Sequence, residues 1–281
     1  VVSPVKKARL WSPEDPFLYD LTYEVVAPDG QVLDAVKSYV GMRKVHIEGN
    51  KIYLNNEPYY QRLVLDQGFY PDGIWTAPSD DALRRDIELG LAAGFNGARL
   101  HQKVFEERYY YWADRLGYII WAVHNYEQNP AKLKEKIFSD GTFFHPRLRT
   151  TRDQTRNIGF NEVKATANYA WPQYDGSCPY LADEFGGIKW VKDQEKQATD
   201  SQTESWGYGQ APRTLEEFYT RLEGQVDALL SLSGQVWGYC YTQLTDVEQE
   251  QNGIYCYDRS AKFDMDRIKA IFSKRPEHPA R

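Results

Sequence analysis

Glu184 is the residue of this 281-residue chain whose type and setting point most directly to chemistry. It follows an apolar run over 179–183 and precedes Phe185-Gly186-Gly187. The two glycines let the backbone turn tightly and leave room beside the carboxylate. A carboxylate held at a strand end in a sugar-binding cleft meets the requirement for the nucleophile of a retaining glycosidase. Periodicity alone is equally consistent with an ordinary loop glutamate.

Other polar side chains that follow apolar runs are candidates to bind a substrate. These candidates are Arg62, Asp66, Arg99, His101, His124, Tyr126 and Gln243. The two histidines and Arg99 would supply donors for sugar hydroxyls and for a carboxylate, although a lone histidine is more often structural. Trp237 and Tyr241 offer flat apolar faces to the C–H face of a sugar. No third ligand accompanies the histidines, so no metal site is predicted. Acidic runs usually form a solvated face, and within the acidic stretch we expect this for Glu248 and Glu250.

Composition argues against several other classes of function. The net charge is −6, whereas a nucleic-acid-binding surface would show clustered Lys and Arg on a basic background. No run of about 18 apolar residues is present, so we expect no membrane span. No dinucleotide, phosphate-loop or serine-hydrolase motif occurs, and no cofactor is predicted. Three cysteines without metal-type spacing favour a reducing, cytoplasmic compartment, while export stays open because the chain begins at Val1.

The elements that would position these residues alternate between strands and helices. A hairpin is predicted around Asp29-Gly30, because strand-like runs lie on both sides of that turn. Further strands are predicted at 43–47, 51–54, 59–65, 95–100, 118–123, 179–183 and 235–241, and helices at 80–93, 105–116, 214–232 and 263–273. Such alternation is typical of parallel strands joined by crossover helices, and it predicts an α/β fold of the (β/α) TIM-barrel type. Chemistry in such barrels lies at the carboxyl ends of the strands.

Several segments together resemble glycoside hydrolase family 2, the group of β-galactosidases, β-glucuronidases and β-mannosidases. The matching segments are 10–19 (LWSPEDPFLY), 37–43 (KSYVGMR), 52–73, 94–121, 180–190 (YLADEFGGIKW) and 235–259. The resemblance implies that 1–48 form the end of an immunoglobulin-like β-sandwich and that 49–281 form a glycosidase barrel. It also implies that Glu184 is the nucleophile. Arg62, Arg99 and His101 match positions near the substrate, and 124–130 resemble the end of the sixth strand.

The chain departs from the family's pattern after Trp121. In the family, two more strand–helix units follow the third strand, and the fourth strand ends in the Asn-Glu that supplies the general acid/base. Here His124 follows Trp121 within three residues, so we expect an incomplete barrel that lacks the fourth and fifth strand units. Asn161-Glu162 repeats the dipeptide shortly before Glu184, which makes Glu162 a candidate acid/base in an unusual position. Glu204 lies in a similar motif after Glu184 and is a weaker candidate.

Two functions follow from this sequence. The first is a retaining β-glycosidase that binds a β-glycoside and uses Glu184 in a double displacement. The second is a carbohydrate-binding or structural remnant that lacks the acid/base and its activity. The two differ in whether a second carboxylate lies about 5–5.5 Å from Glu184. An incomplete barrel would also leave sheet edges exposed, which favours association with another copy of the chain.

Overall fold

The computed structural model describes residues 5, 7–123, 149–150, 179–192 and 205–276. The antiparallel strands come first in the chain: β1 (Tyr19–Val26), β2 (Val32–Val40), β3 (Val45–Glu48), β4 (Lys51–Leu54) and β5 (Glu57–Pro58). The remaining strands are β6 (Gln61–Asp66), β7 (Gly97–His101), β8 (Ile119–Val123), β9 (Arg149–Thr150), β10 (Tyr180–Gly186) and β11 (Val236–Thr242). The helices are α1 (Asp80–Ala92), α2 (Glu107–Leu116), α3 (Leu215–Ser231) and α4 (Met265–Phe272).

A parallel sheet forms the centre of the described part of the molecule. Its six strands lie in the order β8-β7-β6-β11-β10-β9, and each neighbouring pair is parallel. Helices α1, α2 and α3 each lie between two of these strands in the chain, as crossover connections require. The arrangement is α/β and consistent with part of a TIM barrel, which confirms the predicted fold class. The boundary between the two predicted domains stays a prediction.

Two small antiparallel sheets precede the parallel sheet. The hairpin of β1 and β2 turns at Asp29-Gly30, where Gly30 has a φ of 89°. The predicted hairpin is therefore confirmed. The second sheet has the order β3-β4-β5.

Apolar side chains of the hairpin such as Val25, Leu33 and Val36 are exposed, at 58%, 62% and 55%. A two-stranded hairpin with both faces open has little burial of its own to stabilise it.

Local sequence signals set the ends of the helices. The Oγ of Ser79 accepts a hydrogen bond from the backbone N–H of Ala82 at 3.1 Å and caps α1. Thr214 caps α3 in the same way through Glu217 N–H. Gly117 ends α2 in the left-handed region, at a φ of 76°. The predicted helices are confirmed, with α2 and α4 each beginning two residues later than expected.

The sheet has two differently packed faces. One face carries Val64, Ala98 and Tyr239 and packs in a large cluster with the helices. The opposite face carries a smaller cluster whose buried members are Ile52, Leu63, Leu65, Trp121, Leu181, Trp237 and Cys240. Successive side chains of a strand point to opposite faces. Because Ala98 and Leu100 belong to the helix-side cluster, Arg99 and His101 point to the other, inner face.

Candidate active site

A buried ion pair lies on the inner face of the sheet. Glu184 in β10 and Arg99 in β7 are only 6% and 4% exposed. Arg99 Nη1 donates to Glu184 Oε1 at 3.1 Å, and His101 Nδ1 lies 3.9 Å from the same oxygen. A buried carboxylate is costly unless an opposite charge and hydrogen bonds compensate it, and Arg99 supplies both. The structure therefore brings together Glu184, Arg99 and His101.

The curvature of the sheet makes this contact. Strands β7 and β10 are separated by β6 and β11, so their backbones are not neighbours. In a flat sheet, side chains on strands three positions apart would lie about 14 Å apart. The contact between Arg99 and Glu184 requires these side chains to converge on a concave face. Such convergence is what a barrel wall provides at its carboxyl end.

The two glycines after Glu184 are required by close packing. Gly186 and Gly187 have φ values of 77° and 61°, in the region that disfavours other residues. A Cβ on Gly186 would lie 2.4 Å from the ring of Tyr241, and one on Gly187 would lie 2.2 Å from the ring of Tyr208. Any side chain there would displace an aromatic ring. The glycines thus allow the chain to turn directly behind the Glu184 carboxylate.

A cluster of amides holds a second carboxylate, that of Glu250. Gln67 Nε2 donates to Gln243 Oε1 at 2.7 Å and to Glu250 Oε2 at 3.1 Å. Gln243 Nε2 donates to Asn252 Oδ1 at 3.0 Å, and Asn252 Nδ2 donates to Glu250 Oε1 at 3.1 Å. We call Gln67, Gln243 and Asn252 the amide cluster. It ties the residue after β6 to the residue after β11, at the carboxyl ends of the parallel strands.

Glu250 is not the solvated residue that the acidic stretch predicted. Burial raises the pKa of its carboxyl group, and the charge of Glu184 contributes in the same direction. The amide donors oppose this shift by stabilising the ionised form. Glu248 is exposed, as expected. Sequence reasoning missed the burial of Glu250 because Gln67, which donates to it, lies 183 residues away in the chain.

Four predicted substrate contacts lie away from Glu184. Arg62 is the second residue of β6, at the amino end of the strand, and its Nε donates to Gly94 O at 3.4 Å. Trp237 is likewise the second residue of β11 and is 1% exposed. Asp66 ends β6 but faces α2, where it accepts a hydrogen bond from Tyr109 at 3.2 Å. Tyr241 is fully buried against the helices. The structure thus places these four side chains away from the inner carboxyl edge, and their role in substrate binding stays a prediction.

The remaining candidates divide between the site and the undescribed part of the chain. Gln243 belongs to the amide cluster and is 1% exposed. His124, Tyr126, Glu162 and Glu204 lie outside the described residues. Within the described ranges, no group of three or more His, Cys, Asp or Glu side chains could hold a metal ion. Searched over the same residues, the helices include none long and apolar enough to cross a membrane.

Comparisons of sequence connect the chain to known hydrolases. The model of the glycosyl hydrolases family 2 matches residues 2–43. The β-galactosidase 2 of Enterobacter cloacae is 32% identical over 117 residues, which are 42% of this chain and 11% of that protein. The β-galactosidase of Oenococcus oeni is 28% identical over 155 residues, which are 54% of this chain and 15% of that protein. The matched parts are thus a small share of these relatives' length.

Solved structures of other proteins have a similar fold. A family 2 β-galacturonidase from Eisenbergiella tayi bound to galacturonate matches with a TM-score of 0.66 at 17% identity. The match covers 96% of this chain and 60% of that one. A β-glucuronidase from Ruminococcus gnavus in complex with D-glucuronic acid has a TM-score of 0.68 at 16% identity, covering 95% and 58%. At these identities the likeness establishes the fold.

Proposed function

We propose that this chain is a retaining β-glycosidase. The chain belongs to glycoside hydrolase family 2, and it comprises the end of the family's immunoglobulin-like domain and part of its catalytic domain. In this proposal Glu184 is the nucleophile. The observation that carries it is the buried Glu184 carboxylate, paired with Arg99 at 3.1 Å at the carboxyl end of a parallel strand. An isolated loop glutamate would have no reason to be 6% exposed beside a buried guanidinium.

The proposed reaction is a double displacement. An oxygen of Glu184 attacks the anomeric carbon, and the bond from that carbon to the leaving oxygen breaks as the glycosyl-enzyme bond forms. Water then attacks the same carbon, releases Glu184 and restores the β configuration. Arg99 orients the carboxylate for the first step through its hydrogen bond to Oε1. His101, 3.9 Å from the same oxygen, is placed to contact a sugar hydroxyl beside the nucleophile.

The leaving oxygen needs a proton when the leaving group is poor, and the attacking water must lose one. Glu162 remains the candidate for this acid/base role and lies outside the described residues. An activated aryl leaving group departs without protonation, so an aryl β-glycoside tests the nucleophile independently of the acid/base. This choice of substrate keeps the two roles separate in the experiment.

We predict that Glu184→Gln lowers kcat/KM for an activated aryl β-glycoside by on the order of 10³-fold or more. The substitution preserves size and hydrogen bonding but removes the nucleophilic charge. Steady-state kinetics measure the loss, and Glu248→Gln, which changes an exposed carboxylate, should retain the parent's rate. Equal rates for Glu184→Gln and the parent would exclude Glu184 as nucleophile. Sugar binding without turnover by the parent would instead favour a carbohydrate-binding remnant.

A further inference from the structure

We infer that Glu250 and Trp206 form a sugar-binding subsite beside Glu184, in which Trp206 stacks on a pyranose ring and Glu250 accepts hydrogen bonds from its hydroxyls. The inference rests on the proposed function for the class of ligand. The geometry that supports it belongs to three chain segments that are distant in sequence: the residue after β6, the stretch after β11 and the segment around Trp206.

A backbone bridge places Trp206 next to Glu250. Trp206 N–H donates to Gln249 O at 2.8 Å, and Gln251 N–H donates to Trp206 O at 2.9 Å. These two bonds make Trp206 and Glu250 partners in a parallel bridge. Bridged residues direct their side chains to the same side, across a backbone separation of about 4.8 Å. The indole of Trp206 and the carboxylate of Glu250 therefore leave the backbone side by side.

The carboxylate of Glu250 is held in one orientation but is not saturated. Each of its oxygens accepts one hydrogen bond from the amide cluster, from Gln67 Nε2 and from Asn252 Nδ2, both at 3.1 Å. An ionised carboxylate offers about four acceptor positions, and Gln243 also stabilises this one, so one or two positions remain for hydroxyl donors. Because Gln243 links Gln67 to Asn252, the two donors are themselves fixed. Such an oriented acceptor suits a pair of neighbouring hydroxyls on a sugar ring.

The indole of Trp206 is available to a ligand. Trp206 is 45% exposed, while most other aromatic side chains near the sheet are buried. Tyr208 supports it edge-on, with ring centroids 5.9 Å apart and planes at 89°. A supported, exposed indole offers a flat apolar surface for the C–H face of a pyranose. Trp206 would thus supply stacking while Glu250 supplies directional hydrogen bonds.

The subsite lies within reach of the proposed nucleophile. The backbone that follows Glu184 contacts both parts of the subsite, since Tyr208 N–H donates to Gly187 O at 2.7 Å and Trp190 N–H donates to Gln251 O at 3.0 Å. A second negative charge in the same cleft repels an anionic substituent. The ligand class that fits is therefore a neutral pyranose with neighbouring hydroxyls. A uronic sugar, which carries a carboxylate, should bind less tightly than its neutral counterpart.

Direct binding of small sugars tests this inference without requiring turnover. The probes are methyl β-D-galactopyranoside, methyl β-D-glucopyranoside and methyl β-D-glucuronide, titrated into the whole chain and followed by saturation-transfer NMR or calorimetry. We expect a neutral glycoside to bind, and Trp206→Ala and Glu250→Gln each to weaken that binding about tenfold. Glu250→Gln should also reduce the difference in affinity between the neutral glucoside and the glucuronide. A merely structural role of Glu250 would leave that difference in affinity unchanged.

Matched variants separate a lost contact from a disturbed fold. Trp206→Tyr keeps an aromatic face and should retain most of the binding even where Trp206→Ala unfolds locally. Trp75→Ala removes another exposed indole, and Glu248→Gln another acidic side chain two residues away; both should bind like the parent. Unchanged binding in Trp206→Ala and Glu250→Gln, loss in Trp75→Ala instead, or no binding by the parent would overturn the inference. If the parent binds the sugar without turnover, and Trp206→Ala and Glu250→Gln each weaken that binding, the subsite is upheld and the proposed catalysis is refuted.

Discussion

The environment of Asp66, at the end of a strand, depends on which side of the sheet its side chain faces. Its carboxylate lies between β6 and α2 and accepts hydrogen bonds from Gly68 N–H at 2.8 Å and from Tyr109 at 3.2 Å. Asp86 lies nearby and is paired with Arg259 through two hydrogen bonds of 3.0 Å. Burial, followed by the charge of Asp86, raises the pKa of Asp66 to about 6 from its ordinary 3.8.

The raised pKa predicts a specific pH dependence of stability. Between pH 3.8 and about 6 the folded chain keeps the Asp66 proton while the unfolded chain loses it, so this group's contribution falls as pH rises through that window. Asp66→Asn cannot ionise and still offers an acceptor to Gly68. We predict that the stability of Asp66→Asn relative to the parent grows by on the order of 2 kcal/mol from pH 4 to pH 6.5 and then levels.

Denaturant unfolding across pH 4–8 measures this difference. Asp72→Asn, which changes an exposed aspartate, should follow the parent at every pH. A difference between Asp66→Asn and the parent that shrinks as pH rises would mean that Asp66 is ionised in the fold over this range. The assignment of Asp66 to a structural rather than a substrate-binding role depends on this buried environment.

At the scale of elements, the stretch between β11 and α4 presents Glu250 and depends on a buried ion pair. Lys262 Nζ donates to Asp246 Oδ1 at 2.6 Å, and the Lys262 side chain is 0% exposed. The same Asp246 oxygen accepts from Gly253 N–H at 2.9 Å. The pair therefore closes the loop that carries Glu250 and Asn252 and fixes the amide cluster against the sheet.

Breaking this pair should destabilise the fold strongly. We predict that Lys262→Met lowers the free energy of unfolding by about 3–5 kcal/mol, because it leaves the Asp246 charge buried without its partner. The double variant Asp246→Asn, Lys262→Met should recover much of the loss, since the substituted amide is neutral and its oxygen can still accept from Gly253. Denaturant unfolding tests both, with exposed Lys269→Met as the control. If the double variant were no more stable than Lys262→Met, the unpaired charge of Asp246 would not be the cause of the lost stability.

Elements of this fold were predictable wherever the signal is local. Ser79, Thr214 and the Asp29-Gly30 turn each act on residues within a few positions, and the structure has the predicted caps and hairpin. The face of the sheet to which a given strand side chain points was not predictable from the pattern of apolar residues. Strict alternation would place Trp237 and Tyr241 on the same face of β11, but they lie on opposite faces because the register shifts between Val236 and Tyr239.

The site was predictable in part for the same reason. Glu184 follows an apolar run and precedes two glycines, both of which are local features. Arg99 could be named as a candidate, but its contact with Glu184, 85 residues away, depends on how far the sheet curves. Glu250 and Trp206 could not be paired at all, because they are distant in the chain and a backbone bridge brings them together.

At the scale of the whole molecule, the antiparallel part is joined to the parallel sheet through α2. Asp114 in α2 accepts hydrogen bonds from Arg43 at 2.9 Å and from Tyr39 at 3.2 Å, and its backbone oxygen accepts from the indole of Trp11 at 2.7 Å. Asn55 also donates to Trp11 O at 2.9 Å. Trp11 is 3% exposed, in contrast to the open faces of the β1–β2 hairpin. The hairpin is therefore held at its base and by the side chain of Asp114.

This arrangement predicts that the hairpin opens independently of the sheet. Asp114→Ala removes the contacts to Tyr39 and Arg43 but leaves the backbone oxygen that accepts from Trp11. These partly exposed contacts are each worth up to about 1 kcal/mol, so hairpin amides at 19–40 should exchange severalfold faster in the variant. Amides of β6, β7 and β11, which lie in the buried centre of the sheet, should exchange as in the parent.

Hydrogen–deuterium exchange read by mass spectrometry resolves the two regions, and Glu107→Ala on the exposed side of α2 provides the control. Equal acceleration in the hairpin and the sheet would mean that both open as one cooperative unit, and unchanged hairpin exchange would mean that Trp11 alone secures it.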